Sequence, residues 1–274
     1  MSRQSMDVNQ YLQRIHFQGR PAADLATLRQ IHHQHLLHIP YENLDVQLGT
    51  PLDFDMQRIF TKLVTHNRGG WCYEMNGLMG WALSELGFQV TRMSGAVMRA
   101  SEGDLQLGNH LLLEVLLEQP YLADVGLGDG LREPIPIRAG EYIQGGLTYR
   151  LEHMADGYWR LHNQQFSNVS SFDFKHAPAL EDELEAKCQW LQTAPESPFK
   201  MLLIAQRFKP ESIAVQLGKV STTITAQGKQ SETRETLEEL QQHLRDEFDL
   251  SVDLSDIWPA IEAAHTRFNT TEPS

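Results

Sequence analysis

Cys72 is the residue around which a reaction could be built. Thiols attack as thiolates, and a helix N-terminus or a neighbouring imidazolium favours that form. The stop signal Arg68-Gly69-Gly70 ends one helical pattern and the next starts close to Cys72, which places the sulfur at a helix opening. Gly69 and Gly70 tolerate backbone angles that other residues avoid, so a tight turn or a close substrate approach is possible just before it. His110 begins the apolar run His110-Leu111-Leu112-Leu113-Glu114-Val115, and Asp124 follows Tyr121-Leu122-Ala123. An imidazole and a carboxylate on adjacent strand-like runs suit a base that takes the thiol proton and an acid that orients the base. Each residue also has a plainer reading: a packed cysteine behind a capping glycine pair, a histidine at a strand edge, an aspartate in a turn. Cys188, in a helical stretch with no local base, reads as a packing residue.

Those three residues need elements to hold them. Up to about residue 90 the apolar pattern is helical, with Leu12 and Ile15 in one segment and Leu25, Leu28, Ile31 and Leu36 in the next, capped by Asp24 or Thr27. Pro40 breaks that helix, and a further helix is expected over 55–65. Leu78, Trp81, Ala82 and Leu86 mark one face of the Cys72 helix, which ends at Gly87. From 88 to about 174 short apolar runs alternate with turns, at 89–98, 110–117, 121–125, 149–152 and 158–162, the pattern of a sheet or barrel. Residues 179–192 read as helix, 199–207 and 213–217 as strands, and 236–248 as a charged amphipathic helix. His32, His35 and His38 recur every three positions and are expected on a polar, partly exposed helix face rather than in a metal site.

Composition narrows the class. The chain has 274 residues, enough for one large or several small domains, with 41% hydrophobic and 22% charged residues, which suits a globular protein. Its 36 acidic against 23 basic residues give a net charge of -13, which argues against a grip on nucleic acid or an anionic membrane. No window approaches the roughly 18 apolar residues of a membrane span. The first residues are polar and carry no leader pattern, so the cytoplasm is the expected compartment, and there the two cysteines should stay reduced.

Arg68-Gly69-Gly70-Trp71-Cys72-Tyr73-Glu74-Met75-Asn76 resembles the Arg-Gly-Gly-x-Cys-x-Glu-x-Asn signature of arylamine N-acetyltransferases. Ile39-Pro40-Tyr41-Glu42-Asn43-Leu44-Asp45 is similar to the family's Ile-Pro-Phe-Glu-Asn-Leu, and Asp124-Val125-Gly126-Leu127-Gly128 to its Asp-Val-Gly-Phe-Gly. The resemblance is strong from Tyr11 to about Leu151, with later traces at Ser197-Pro198-Phe199 and Ala205-Gln206-Arg207. It implies an α+β protein in three parts: a helical bundle over 1–90 carrying the cysteine, a β-barrel over 91–195 carrying His and Asp and ending in a linking helix, and an α/β lid over 196–274. It implies a papain-like triad of Cys72, His110 and Asp124, and a structural clamp of Arg68 on Glu42 and Asp45. The co-substrate implied is acetyl-CoA, with no metal. The acceptor implied is a small aromatic amine, hydrazine or N-hydroxyarylamine, acetylated through an acetyl-cysteine. Trp71, Ser94, Gly95, Gly126, Leu127 and Gly128 are expected near acceptor or CoA, the glycines having barrel turns as their plainer role. Leu127 departs from the family's aromatic residue. A homo-oligomer stays open, as does a cysteine hydrolase or transglutaminase-type acyl transferase, since the triad alone does not say what resolves the acyl-enzyme.

Overall fold

Asp24 settles where the first long helix begins, because its carboxylate accepts the Thr27 N–H at 2.8 Å and Leu25–His38 winds on from there. The computed structural model describes residues 6–270. Helix Val8–Arg14 precedes this one, and Leu28, Ile31 and Leu36 turn inward against Tyr11, Ile15 and the Cys72 helix. The segment expected as one helix over 55–65 divides into Met56–Phe60, an α-helix, and Thr61–Thr65, a π-helical turn. The Thr61 hydroxyl donates to the Gln57 carbonyl at 2.8 Å, a local bond that competes with regular helix. Helix Cys72–Glu85 follows, and Gly87 leaves it at φ 88°.

The middle of the chain is an eight-stranded antiparallel sheet. In spatial order its strands are Ile135–Pro136, Pro120–Ala123, His110–Leu116, Gln89–Val97, Ser171–Phe174, Trp159–His162, Leu147–His153 and Gly140–Gln144. The sheet curls until its edges nearly meet. There the Tyr142 hydroxyl donates to the Pro136 carbonyl at 3.2 Å, and the Gln144 side-chain oxygen accepts the Arg132 N–H at 2.7 Å. Leu112, Leu113, Val115, Phe172 and Phe174 lie in one buried cluster with the helix residues Met75, Leu78 and Met79, so helices and barrel share a core.

A second antiparallel sheet runs Tyr41–Glu42, Ile204–Phe208, Ile213–Leu217, Val220–Thr225, Gly228–Thr233. Its first strand comes from the N-terminal part of the chain, with Tyr41 opposite Gln206 and Glu42 opposite Ala205. Helix Leu237–Phe248 buries Leu240, Leu244 and Phe248 against Leu203, Ala205 and Ala214. The strand expected over 199–207 begins late: Pro198–Met201 is a helical turn, and pairing starts at Ile204. Ser197 caps that turn by accepting the Phe199 N–H at 3.2 Å, with Pro198 at the first helical position.

Candidate active site

The sulfur of Cys72 sits in the first turn of its helix, where backbone N–H groups lack intrahelical partners and the dipole favours negative charge. Glu74 steadies that turn by accepting the Trp71 N–H at 3.3 Å. His110 opens its strand and Asp124 follows the neighbouring strand Pro120–Ala123; Cys72, His110 and Asp124 are each 2% exposed. His110 Nε2 meets Asp124 Oδ2 at 2.8 Å, which leaves Nδ1 for the thiol. Burial works against a charged imidazole, but the carboxylate of Asp124, its hydrogen bond and the adjacent Cys72 outweigh burial and raise His110 to about 10. The same pair acts in reverse on Asp124, where His110 and the bonds from Asn76 and Gly126 overcome burial and hold the carboxyl below its ordinary range.

Asn76, one helical turn beyond Cys72, joins the three segments. Its Nδ2 donates to Asp124 Oδ1 at 2.8 Å and to the Leu111 carbonyl at 2.6 Å, and its Oδ1 accepts the Val125 N–H at 3.0 Å. Gly126 N–H donates to the same Asp124 Oδ1 at 2.8 Å. Gly126 lies so close to the nucleophile that an added Cβ would stand 2.8 Å from both Cα and Cβ of Cys72.

The histidine row is not the exposed face expected of it. His32 and His35 are fully buried, and only His38 is half-exposed. His32 Nδ1 faces the Arg132 carbonyl at 3.2 Å, and Nε2 lies 3.1 Å from the Asp124 carbonyl and 3.2 Å from the Asp124 N–H. The neutral ring thus ties the Arg132 carbonyl to the Asp124 backbone, one nitrogen at each. Burial pushes His32 down to about 4, so that neutral form persists. His35 is bound at 2.9 Å to the Tyr11 hydroxyl. The reason is that helix Leu25–His38 packs under the Asp124 turn, a long-range contact that period alone does not reveal.

Behind the Cys72 helix lies a cluster of charges. Arg68 Nη2 reaches Glu42 Oε1 at 2.8 Å and Asp45 Oδ1 at 3.0 Å. Lys62, on the π-turn, bridges Asp45 Oδ2 at 2.8 Å and Glu74 Oε2 at 2.9 Å. Lys62 and Glu74 extend the three-residue clamp expected from sequence. Burial would discharge Lys62, but Glu74, Glu42 and Asp45 together hold its amine charged.

A cavity of about 510 Å³ opens over the thiol, with Tyr41, Cys72, His110, Gly126, Leu127 and Phe199 in its wall. Four expected neighbours of the ligands lie outside that wall. Trp71 is buried edge-on between Tyr73 and Phe199. Ser94 and Gly95 belong to strand Gln89–Val97, and Gly95 pairs with His110, where a Cβ would press on the imidazole at 3.3 Å. Gly128 packs against Gln206. A second cavity of about 390 Å³ shares Asn168, Leu202 and Leu217 with the first and is lined by Lys229, which is exposed, and by Lys219, which is buried and paired with Glu235 at 3.3 Å. Among the described residues no group of His, Cys, Asp and Glu could hold a metal ion.

A thiol at a helix N-terminus, beside an imidazole–carboxylate pair on a curled sheet, is the arrangement of α+β proteins that move acyl groups through cysteine. A family model described as N-acetyltransferase matches residues 24–257. An arylamine N-acetyltransferase of Mycolicibacterium smegmatis is 39% identical over 203 residues, covering 71% of this chain and 74% of its own. Arylamine N-acetyltransferase 2 of Mus musculus is 30% identical over 241 residues, covering 79% and 83%. Among solved structures, the M. smegmatis arylamine N-acetyltransferase superposes with a TM-score of 0.84 at 32% identity, covering 94% of this chain and 98% of that one. The Mycobacterium marinum arylamine N-acetyltransferase in complex with CoA gives 0.83 at 28%, with the same coverage. The chain belongs to the arylamine N-acetyltransferase family.

Proposed function

We propose that the chain carries an acetyl group from acetyl-CoA to a small aromatic amine, hydrazine or N-hydroxyarylamine, with Cys72 as the nucleophile, His110 as the acid and base, and Asp124 orienting His110. The observation that carries this reading is the 2.8 Å contact of His110 Nε2 with Asp124 beside a thiol that lines the cavity. His110, held as the imidazolium beside Asp124, already keeps the cysteine's proton on Nδ1, so Sγ attacks the thioester carbonyl as a thiolate. The bond from that carbon to the CoA sulfur then breaks, and the imidazolium returns the proton to the departing thiolate. In the second half the acceptor nitrogen attacks acetyl-Cys72, His110 takes the nitrogen's proton, and the cysteine sulfur leaves. N–H groups of the helix's first turn supply the donors that a tetrahedral oxyanion needs. The reading assigns the reaction to the cytoplasm, which accords with two cysteines kept as thiols.

Incubation with acetyl-CoA should add one acetyl group to Cys72, read by intact mass and peptide mapping, and an arylamine should discharge it with stoichiometric CoA release. Cys72→Ala should lose both steps and Cys188→Ala neither. Acetylation that persists in Cys72→Ala would refute the mechanism. Discharge equally fast without any amine would favour a hydrolase instead.

A further inference from the structure

The cavity over Cys72 has an uneven charge. Glu102, Asp129 and Glu196 stand in its wall; the cation there is His110, already paired with Asp124 at 2.8 Å, and among the described residues no lysine or arginine lines it. Glu102 and Glu196 are exposed, whereas Asp129 is 1% exposed. Asp129 Oδ2 accepts the Ser167 hydroxyl at 2.8 Å, but Oδ1 is buried with no hydrogen-bond partner. A buried carboxylate oxygen left this way is costly, and such a group is a natural seat for a donor brought by a ligand. Asn163 and Asn168 lie near enough to draw the carboxyl down, yet burial prevails and raises it to about 6. Lys187, the cation over the Trp190 ring of the wall, is engaged with the Leu105 carbonyl at 2.7 Å and is not itself part of the lining. Positive side chains appear beyond Asn168, Leu202 and Leu217, in the adjoining cavity with Lys219 and Lys229.

We infer that the preferred acceptor is a cationic aromatic amine, whose reacting nitrogen turns to Cys72 while a second, protonated nitrogen is received by Asp129. The inference rests on the acetyl-transfer reading above and names the acceptor class within it. One thiol serves both half-reactions, so a polyanionic donor and the amine must approach the same sulfur. The acidic wall repels the donor's phosphates, with exposed Lys229 in the adjoining cavity to draw them aside, and is left to a cation. Aromatic amines carrying a carboxylate meet three like charges there and are disfavoured. Glu102 and Glu196 act at longer range and through water, so their share is smaller and sensitive to salt.

The test uses three acceptors of nearly one shape: 4-aminobenzamidine, 4-aminobenzamide and 4-aminobenzoate, which are cationic, neutral and anionic. Their kcat/KM should fall in that order, with roughly ten- to hundredfold between the first two, the range of a charge-assisted hydrogen bond. Asp129→Asn should bring the amidine-to-amide ratio toward one; a merely structural role would lower all three acceptors together and leave that ratio unchanged. The Glu102→Gln/Glu196→Gln double variant, altered only at exposed positions, should raise kcat/KM for 4-aminobenzoate severalfold even if Asp129→Asn fails to fold. An anionic acceptor equal to or better than the cationic one in the unaltered protein overturns the inference, as does an unmoved ratio in folded Asp129→Asn. Absence of acetyl-Cys72 and of turnover with neutral 4-aminobenzamide would instead strike the acetyl-transfer reading itself.

Discussion

Gly126→Ala adds one methyl group at the most crowded point of the site. The new carbon would lie 2.5 Å from Asn76 Nδ2 and 2.8 Å from Cys72 Cα and Cβ. Carbon atoms pack comfortably at about 3.5–4.0 Å, so something must move by roughly an ångström. Rotation of a side chain cannot relieve the clash with Cys72 Cα, which is backbone at the start of a buried helix. The Gly126 turn cannot retreat freely either, since its N–H holds Asp124 Oδ1 at 2.8 Å and the adjacent Val125 N–H holds Asn76 at 3.0 Å. Withdrawal therefore drags the carboxylate away from His110. Overpacking of this kind costs about 1–3 kcal/mol, which for a chain of this size lowers Tm by roughly 2–10 °C. A misplacement of about 1 Å at reacting groups costs on the order of a hundredfold in rate. Rapid-quench measurement of acetyl-Cys72 formation, with no acceptor present, reads the rate on the cysteine itself, and a thermal melt reads stability. A variant that acetylates within about twofold of the unaltered protein would refute the claim that this turn sets the cysteine against its carboxylate, whatever its Tm.

Three further perturbations separate neighbouring roles. His32→Phe should slow Cys72 acetylation and lower Tm, because the Asp124 backbone and the Arg132 carbonyl each lose a partner at about 1–3 kcal/mol; His32→Gln should recover part of both, and an unchanged acetylation rate in folded His32→Phe would show that the imidazole only fills space. Leu127→Phe should reorder neutral arylamine acceptors by roughly twofold to tenfold while sparing the acetylation step, since aromatic contacts are worth about 0.5–1.5 kcal/mol beyond burial; an unaltered order with a lowered Tm would mean that Leu127 serves only the core. Asp129 is raised to about 6 in the fold from an ordinary 3.8, so the folded state binds the extra proton. Its contribution to stability is thus greatest below pH 3.8 and declines as pH rises to about 6, by roughly 3 kcal/mol; Asp129→Asn should flatten that part of the stability curve, and parallel curves would contradict the shift.

Cys72, His110 and Asp124 were legible as candidates because each stands beside a local marker: a glycine stop, the head of an apolar run, a turn after a strand. Their joint meaning came from the resemblance, since spacing alone left packing roles open. Asp24 was legible as a cap because capping is decided within three residues. Lys62 was not, because its approach to Glu74 depends on the π-turn, which swings the amine under the next helix in a way that 3.6-residue periodicity does not describe. His32 was misjudged for a related reason: spacing reports which residues share a face, whereas the Asp124 turn that covers this face lies far along the chain. Asn76 stood within the signature, but its bonds to Leu111, Asp124 and Val125 are all long-range.

The pairing of Tyr41–Glu42 with Ile204–Phe208 bears on how the protein is made. Tyr41 walls the cavity and Glu42 anchors Arg68, yet the strand that holds them in place is translated more than half a chain later. While a ribosome is still synthesising the barrel, the cysteine helix can form but its flank has no partner, and the nascent chain exposes an unfinished strand edge. The site is completed only after residues 204–208 have left the exit tunnel. A chain interrupted before that point keeps every residue of the proposed triad and still lacks one wall of the room in which they would work.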